Sequence, residues 1–332
     1  MENNPVLVEV ERSGFVESRH RGAAVGLDAA GAVAERAGAV DAPIFPRSAN
    51  KPLQAVAMLR SGLDLDGAPL ALAAGSHSGE NFHVEGAERI LAGAGLTAEA
   101  LRCPAHWPMD QRALREVVRS GGAESRLRMN CSGKHAAMLA TCVAAGWTTG
   151  DYLDPAHPLQ AAVRETVEDL TGEKPVAVGV DGCGAPLFAI STLGVARGFR
   201  AVLLGGPGSP ERRVADAMRA HPEWTSGTGR EERRLMDAVP GLLVKCGFEG
   251  VDAFAFADGR AGALKIDDGA MRARTPVTVA LLRALGLDGV PGADQEVLAE
   301  LATLPLHGGE ALVGAVRAVP GLFGQGQEAM SL

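Results

Sequence analysis

Aromatic side chains are scarce in this chain: they make up 4% of its 332 residues, and a single one of them is tyrosine. Glycine is abundant by comparison, with 43 copies. A core with few rings is filled mainly by Ala, Val and Leu, which allow neighbouring backbones to approach closely. We therefore expect a tightly packed core and a chain with many turns.

Positive charge is not in excess either. Lys and Arg number 32 against 40 Asp and Glu, which gives a net charge of −8. Nucleic-acid phosphates are bound by clustered Lys and Arg, so we expect no nucleic-acid partner. No apolar run approaches the roughly 20 residues of a membrane-spanning helix, and the start of the chain lacks the basic and apolar regions of a signal peptide. These features predict a protein without a membrane role.

Cysteine is limited to five copies, an odd number that does not form a complete set of disulfides. Disulfide frameworks are typical of short secreted chains, whereas free or metal-bound thiols are typical of reducing compartments. We therefore expect a cytoplasmic protein whose cysteines are free or bind a metal.

Strand patterns occur in the first and last thirds of the chain. Val6, Val8 and Val10 alternate with charged residues, as in a half-buried strand. Strand-like runs return after the middle of the chain, at 241–246, 251–257 and 261–266. From about residue 84 to residue 235 the pattern is mainly helical, and one of these helices is expected at 184–196.

This order predicts an α+β fold in which the N- and C-terminal thirds form an antiparallel sheet and the middle forms a helical lobe. We expect one domain over 1–332. Its sheet lobe covers about 1–82 and 240–332, and its helical lobe about 83–239.

A Ser-x-x-Lys spacing occurs at Ser48 and Lys51, where an extended segment meets a run of apolar residues. Residues three apart on a helix share a face, so the hydroxyl and the amine can touch. That arrangement is typical of a Ser–Lys nucleophile pair. The alternative is a helix-capping serine followed by a solvated lysine.

Lys245 lies inside an apolar strand pattern, two residues before Gly247. A buried lysine can serve in proton transfer, whereas on an edge strand it would be a solvated residue that prevents aggregation. Lys-x-Gly after an earlier Ser-x-x-Lys is the order found in serine enzymes of the β-lactamase type. The intervening polar stretch, Ser76-His77-Ser78, departs from the Ser-Asp-Asn of those enzymes.

Two cysteines lie among other potential metal ligands. Cys131 and Lys134 open a predicted helix, and Asp181 and Cys183 share a glycine-lined loop. Two thiolates and a nitrogen ligand can hold Zn²⁺. A lysine binds metal only after losing its proton, and free lysine titrates near ~10.4, so His135 is the more ordinary nitrogen ligand. Spacing alone leaves the metal site open.

Five motifs occur together and in a fixed order along the chain. They are Arg47-Ser48-Ala49-Asn50-Lys51-Pro52, Ser76-His77-Ser78-Gly79-Glu80, Asn130-Cys131-Ser132-Gly133-Lys134-His135, Asp181-Gly182-Cys183-Gly184-Ala185-Pro186 and Leu264-Lys265-Ile266-Asp267-Asp268-Gly269. The combination resembles the rhizobial-type (class 3) L-asparaginases, the asparaginase II family. The resemblance runs from about Val6 to the helix near residue 286.

This resemblance implies a β-lactamase/glutaminase-like fold, a homodimer, and hydrolysis of L-asparagine to L-aspartate and ammonia. Ser48 matches the nucleophile and Lys51 its base. Ser76 and Lys245 match a second Ser–Lys pair.

The resemblance also implies a set of binding residues. Arg47, His77 and Asp181 match positions that contact the substrate, and a Zn²⁺ site matches Cys131, Lys134 and Cys183. Two alternatives remain open. One is another serine amidase or glutaminase of the β-lactamase-like group, and the other is a catalytically silent protein that binds small amino acids.

Overall fold

The computed structural model describes residues 4–324. Within this range the strands are β1 (Val6–Arg12), β2 (Phe15–Leu27), β3 (Val33–Ala37), β4 (Pro43–Ile44), β5 (Val178–Val180), β6 (Pro186–Phe188), β7 (Ile190–Ser191), β8 (Leu242–Gly247), β9 (Val251–Phe256), β10 (Ala261–Ile266), β11 (Thr303–Gly308) and β12 (Ala311–Ala318).

The α-helices in the same range are α1 (Lys51–Arg60), α2 (Gly67–Ala73), α3 (Asn81–Gly93), α4 (Gln111–Arg119), α5 (Ser132–Ala145), α6 (Pro158–Thr171), α7 (Thr192–Leu204), α8 (Pro210–Ala220), α9 (Pro222–Thr225), α10 (Glu231–Ala238), α11 (Arg274–Ala284) and α12 (Gln295–Ala302). Short 3-10 helices are η1 (Arg47–Asn50), η2 (Ala98–Ala100) and η3 (Met271–Ala273). No helix between residues 4 and 324 has the length and apolar character needed to cross a bilayer.

The chain forms two compact units. Among residues 4–324, the first consists of 4–49, Ile190–Arg200 and 234–324, and the second of Asn50–Ala189 and Ala201–Arg233. The first unit therefore contains the main sheet, and the second contains most of the helices.

The sheet of the first unit has eight strands and is antiparallel throughout. Its strands follow the order β11-β12-β1-β2-β10-β9-β8, and β3 also pairs with β2. The strand β2 is long enough to pair with β1 through its first half and with β10 through its second half. The buried second half, Gly22–Leu27, is the apolar part of that strand. The long strand β2 thus connects the two halves of the sheet.

The core of this unit lies between the sheet and the helix α11. Apolar side chains from β1, β2 and β10 pack against those of α11, which is buried along most of its length. The members of this cluster are mostly Leu, Val, Ile and Ala. This agrees with the small-residue core that the composition predicts.

The second unit is mainly helical. Its helix α5 is buried along almost its whole length and packs against α2 and α3. Local signals fix several helix ends: Asp110 and Ser209 cap α4 and α8 through their side chains, and Gly146 and Gly172 end α5 and α6 in the left-handed conformation. A short hairpin, β5–β6, completes the unit.

The prediction of an α+β fold with an antiparallel sheet from both ends of the chain is confirmed. The predicted helix at 184–196 is wrong, because β6 and β7 occupy its first part and α7 begins at Thr192. A short apolar run cannot be assigned to strand or helix from periodicity alone, and here residues 190–191 pair with β4. The N-terminal segment of the first compact unit ends at Ala49.

Candidate active site

Lys51, at the start of α1, forms a buried pair with Ser76. Lys51 is the first residue of that helix and is 1% exposed. Its Nζ donates hydrogen bonds to Ser76 Oγ at 2.7 Å and to the Gly75 carbonyl at 2.6 Å. The residues of α1 from Lys51 to Leu59 are all buried, and a hydrogen bond in such surroundings is electrostatically stronger than in water. The structure thus pairs Lys51 with Ser76.

Ser48 does not act as the cap of α1. The capping position is Asn50, whose side chain makes no capping hydrogen bond. Ser48 lies one residue inside η1 and is 4% exposed. The alternative that Ser48 is the N-cap of α1 is therefore wrong.

The segment around Ser48 packs closely on the end of β8 in the first unit. A Cβ atom on Gly247 would lie 2.4 Å from the Pro46 carbonyl oxygen and 3.2 Å from the Ala49 amide nitrogen. Alternate residues of a strand point to the same face, so Lys245 lies on the face of β8 that Gly247 turns towards this segment. The structure therefore brings Lys245 to the same side of the first unit as Ser48.

Lys245 is fully buried, and its Nζ donates to the carbonyl of Cys246 at 2.8 Å. The alternative of a solvated edge lysine is therefore wrong.

Arg47, directly before Ser48, has a left-handed backbone with φ 52°. Its guanidinium lies 3.9 Å from Glu249, whose backbone is also left-handed with φ 62°. Because Glu249 is largely exposed, this ion pair contributes little to stability. Left-handed residues other than glycine cost ~1–3 kcal/mol and are concentrated at functional sites. The segment that presents Ser48 is thus held in an uncommon conformation.

The loop that carries Ser76 is fixed by its own backbone. The Ser76 amide donates to the Thr225 carbonyl at 2.8 Å, and the His77 amide donates to the Asn130 carbonyl at 3.0 Å. The side chain of His77 is fully buried, and both of its ring nitrogens lie in hydrogen bonds inside the second unit. Burial, followed by the charges of His83 and Lys51, keeps the pKa of His77 well below its ordinary value. The imidazole is therefore neutral.

Glu80 closes the same loop. Its carboxylate accepts hydrogen bonds from Ser78 Oγ at 2.7 Å and from the amide and hydroxyl of Thr228 at 2.8 and 2.7 Å. Burial acts to raise the pKa of Glu80, but the bonds from Thr228 and Ser78 outweigh it and lower this pKa. The carboxylate thus holds residues 76–80 and the segment around residue 228 together.

A second buried cluster contains Cys131, Lys134 and Cys183. These side chains are at most 3% exposed, and Lys134 Nζ donates to Cys183 Sγ at 3.1 Å. The thiol of Cys131 donates to Asn130 Oδ1 at 3.3 Å. Its interaction with Cys183 lowers the pKa of Cys183 and raises that of Cys131. Burial acts to lower the pKa of Lys134, but the charge of Cys183 outweighs it and raises this pKa. The cluster is therefore a thiolate held between a thiol and an ammonium group.

Two further groups lie against Cys183. Asp181 Oδ2 is 3.7 Å from Cys183 Sγ. His135 is fully buried and faces the same sulfur, and its Nδ1 is bonded to the Tyr152 hydroxyl at 2.7 Å. Its Nε2 has no hydrogen-bond partner of good geometry within residues 4–324. Burial lowers the pKa of His135 to about 4, so the ring is neutral.

This donor set fits a zinc ion with Lys134 as a member. Between residues 4 and 324, no three His, Cys, Asp or Glu side chains are grouped as metal ligands. A zinc ion bound here would take Cys131, Cys183 and Lys134 as donors, and Lys134 would first have to lose its proton. Thiolate and nitrogen ligands are those that Zn²⁺ prefers, and the unpaired Nε2 of His135 faces the same sulfur. The residues present are chemically suited to the metal.

The predicted site residues fall into both units. Arg47, Ser48 and Lys245 belong to the first unit, whereas Lys51, Ser76, His77, Cys131, Lys134, Asp181 and Cys183 belong to the second. Within the second unit the structure joins Lys51 to Ser76, and Lys134 to Cys183. Ser132, Thr228 and Tyr152 bond to the predicted site residues or to their loop, and no role was predicted for them from the sequence. Their contacts are with residues 55, 148 and 17 positions away, so no local pattern signals them.

Several solved structures are similar to this chain at low identity. Mglu in its native form has a TM-score of 0.46 and 14% identity over 88% of this chain and 70% of that chain. Mglu in its L-glutamate binding form has a TM-score of 0.44 and 16% identity over 87% and 64%. A β-lactamase from Mycobacterium bovis has a TM-score of 0.38 and 18% identity over 85% and 95%.

Among curated proteins, none has a sequence that matches this chain significantly. The family model described as L-asparaginase II matches residues 8–318, which is nearly the whole chain. The chain therefore belongs to the L-asparaginase II family.

Proposed function

We propose that this protein is an L-asparaginase that hydrolyses L-asparagine to L-aspartate and ammonia. Membership of the L-asparaginase II family supports an amidohydrolase. The observation that carries the proposal is the buried hydrogen bond between Lys51 Nζ and Ser76 Oγ, because Lys51 is also the lysine of the Ser48-x-x-Lys51 spacing. A buried amine beside a serine hydroxyl can act as the general base of a nucleophilic hydrolase, in place of a histidine.

Ser48 supplies the nucleophile, and Lys51, three residues later, accepts its proton. A neutral amine has two N–H bonds and one lone pair. Lys51 Nζ donates hydrogen bonds to Ser76 Oγ and to the Gly75 carbonyl, and in the neutral amine its lone pair is the base for the Ser48 hydroxyl. The Ser48 oxygen then forms a bond to the side-chain amide carbon of asparagine, and backbone amides at the helix start stabilise the oxyanion.

Ser76 returns the proton to the leaving group. Its oxygen accepts a hydrogen bond from Lys51, and its own hydrogen is available to the departing nitrogen. The C–N bond breaks as ammonia takes this proton, and Ser76 recovers one from Lys51. Water then attacks the acyl-Ser48 ester, and Lys51 takes a proton from that water. Lys51 returns this proton to Ser48 Oγ as the ester C–O bond breaks, and aspartate leaves. Buried Lys245 adds a positive charge on the side of the first unit that carries Ser48.

Charged side chains suit the two ends of an amino-acid substrate. Asp181 offers a carboxylate for the α-ammonium group. Arg47 offers a guanidinium, whose fork of N–H donors matches a carboxylate. These two residues would distinguish a free amino acid from a peptide.

We also propose a zinc ion held by Cys131, Lys134 and Cys183. When bound, the metal would supply a fixed positive charge that orients the substrate, and Ser48 would remain the nucleophile. Lys134 would have to lose its proton to become a ligand. A homodimer is part of the same proposal, and light scattering of the purified protein measures it directly.

Ammonia release tests the function. We expect release from L-asparagine by the wild type and a loss of at least ~10³-fold in kcat for Ser48→Ala, since the nucleophile is removed. Ser120→Ala, which alters an exposed serine at the end of α4, is the matched control and should keep full activity. Substantial ammonia release by Ser48→Ala would remove Ser48 from the nucleophilic role.

The choice of substrate separates the alternatives. Faster release from L-glutamine than from L-asparagine would indicate a glutaminase, and acylation of Ser48 by a β-lactam would indicate another serine amidase. Binding of asparagine without ammonia release would indicate a silent binding protein. Each assay is run with and without added zinc, so that metal dependence is measured on the same preparation.

A further inference from the structure

We propose that His77 is a positioning residue that fixes the Ser76 loop to the first turn of α5 and does not bind the substrate. The inference rests on the proposed function for its kinetic test. It replaces the substrate-binding role that the family resemblance implies for this histidine.

The ring of His77 has both nitrogens in hydrogen bonds to the protein. Nδ1 accepts the Gly79 amide hydrogen at 3.1 Å, and Nε2 lies 2.9 Å from Ser132 Oγ. Because Nδ1 is an acceptor, the proton of the neutral ring is on Nε2, which donates to Ser132. Ser132 in turn donates its hydroxyl hydrogen to the Leu127 carbonyl at 2.8 Å. The ring therefore has no polar atom left for a substrate.

The surroundings of the ring also exclude a ligand. His77 is fully buried and stacks on His83, with ring centroids 4.8 Å apart. The ring of His83 is itself fixed, because its Nδ1 accepts the Glu80 amide hydrogen at 3.2 Å and its Nε2 lies 3.0 Å from the Glu223 carbonyl. One face of His77 is thus covered by a ring that cannot rotate freely.

The position of His77 in the chain connects these bonds to Ser76. His77 follows Ser76 directly, and its backbone amide bonds to Asn130, two residues before Ser132. Main chain and ring of the same residue thus attach the loop to one short segment, residues 130–132. The hydrogen bond from Lys51 to Ser76 depends on this attachment, because hydrogen bonds weaken steeply once the distance or angle departs from ideal.

Substitution of a positioning residue has a different effect on the kinetics from substitution of a residue that contacts the substrate. A loosened loop displaces Ser76 Oγ from Lys51 Nζ, and misplacement by about 1 Å costs about 10²-fold in rate. Loss of a substrate contact would instead raise KM. We therefore expect changes at His77 to lower kcat by roughly 10–100-fold and to leave KM within about twofold.

The experiment compares His77→Gln, Ser132→Ala and the double variant. Ser132 contacts the ring from the side of α5, so its loss should reproduce the kcat defect of His77→Gln. The double variant should be no slower than the slower single variant, because both changes break one connection. A raised KM in His77→Gln, together with wild-type kinetics in Ser132→Ala, would overturn the inference.

A second measurement does not depend on activity. In protein labelled with ¹⁵N at histidine, we expect His77 to carry its proton on Nε2 and to remain neutral from pH 8 to pH 5, and Ser132→Ala to shift its Nε2 resonance. A proton on Nδ1, or an unshifted resonance, would contradict the proposed bonding even if the variants folded poorly. Wild-type protein that shows this tautomer and releases no ammonia would instead refute the proposed function and leave the bonding intact.

Discussion

Gly247 approaches Pro46 so closely that a Cβ atom would lie 2.4 Å from the carbonyl oxygen of Pro46. The neighbouring contact, 3.2 Å to the Ala49 amide nitrogen, is also with backbone. Backbone atoms cannot move aside as the end of a flexible side chain can. The absence of a side chain at Gly247 therefore sets how closely the strand that carries Lys245 approaches the segment that carries Ser48.

The first prediction concerns this contact. Gly247→Ala should displace the Ser48 segment, lower kcat for ammonia release by about tenfold or more, and cost about 1–3 kcal/mol of unfolding free energy as an overpacked site does. Activity assays and urea unfolding measure both effects.

The control for this substitution is Gly93→Ala at the end of α3, where a Cβ would meet nothing within 4 Å. Alanine is the better helix former, so this variant should be as stable as the wild type or up to ~1 kcal/mol more stable. If both variants behaved alike, close packing at Gly247 would have no role.

The second prediction concerns the proton relay. Ser76→Ala removes the hydroxyl that lies between Lys51 and the leaving group, and we expect kcat to fall ~10²–10⁴-fold, the usual range for general acid–base catalysis. Because Ser48 and Lys51 remain, a slow acylation should still occur. Mass spectrometry of protein quenched during turnover would then show how much of the chain is acylated.

Serine at position 78 provides the comparison for Ser76. Ser78 lies in the same loop but donates to Glu80, so Ser78→Ala should weaken the loop and reduce activity far less than Ser76→Ala. Equal losses in the two variants would mean that Ser76 acts only through the structure of the loop.

The sequence was sufficient for the features that local patterns encode. Alternation in β1 and the apolar run around Lys245 predicted strands that the structure contains. The Ser-x-x-Lys spacing also lies where α1 begins, since Lys51 is the first residue of that helix. These signals are local, because they depend on neighbours one to four residues away in the chain.

The contacts that organise the candidate site could not be predicted in this way. The pairing of Lys51 with Ser76 spans 25 residues, and that of Lys134 with Cys183 spans 49. Such partners are chosen by tertiary packing, which periodicity does not report. The helix wrongly predicted at 184–196 has the same origin, since the pairing of residues 190–191 with β4 decides their conformation.

The third prediction concerns acid stability. Burial is the main cause that lowers the pKa of His83, to about 4 from 6.5. Between these two pKa values the unfolded chain binds a proton at His83 and the folded chain does not. The contribution of His83 to the free energy of unfolding is therefore complete above pH 6.5 and is lost as the pH falls from 6.5 towards 4. At pH 5 the loss is about 2 kcal/mol.

Unfolding free energies in urea at pH 7.5 and pH 5.0 test this prediction. The decrease between the two pH values should be about 2 kcal/mol smaller in His83→Gln than in the wild type, because glutamine takes up no proton in this range. Identical pH dependence in the two proteins would show that His83 titrates normally in the folded state.

The last prediction concerns the proposed zinc ion. After removal of metals by a chelator and reloading with Zn²⁺, elemental analysis should find about one zinc per chain in the wild type and little in Cys131→Ser or Cys183→Ser, since a structural zinc site does not survive loss of a thiolate. Lys134→Met, which keeps the length of the side chain without the amine, should also weaken binding. The control is Cys142→Ala, which removes a buried cysteine from the last turn of α5 and should leave the zinc content unchanged. Equal zinc in all four variants would place the metal elsewhere. Loss of zinc in Cys131→Ser and Cys183→Ser, with zinc retained in Lys134→Met, would remove Lys134 from the ligand set.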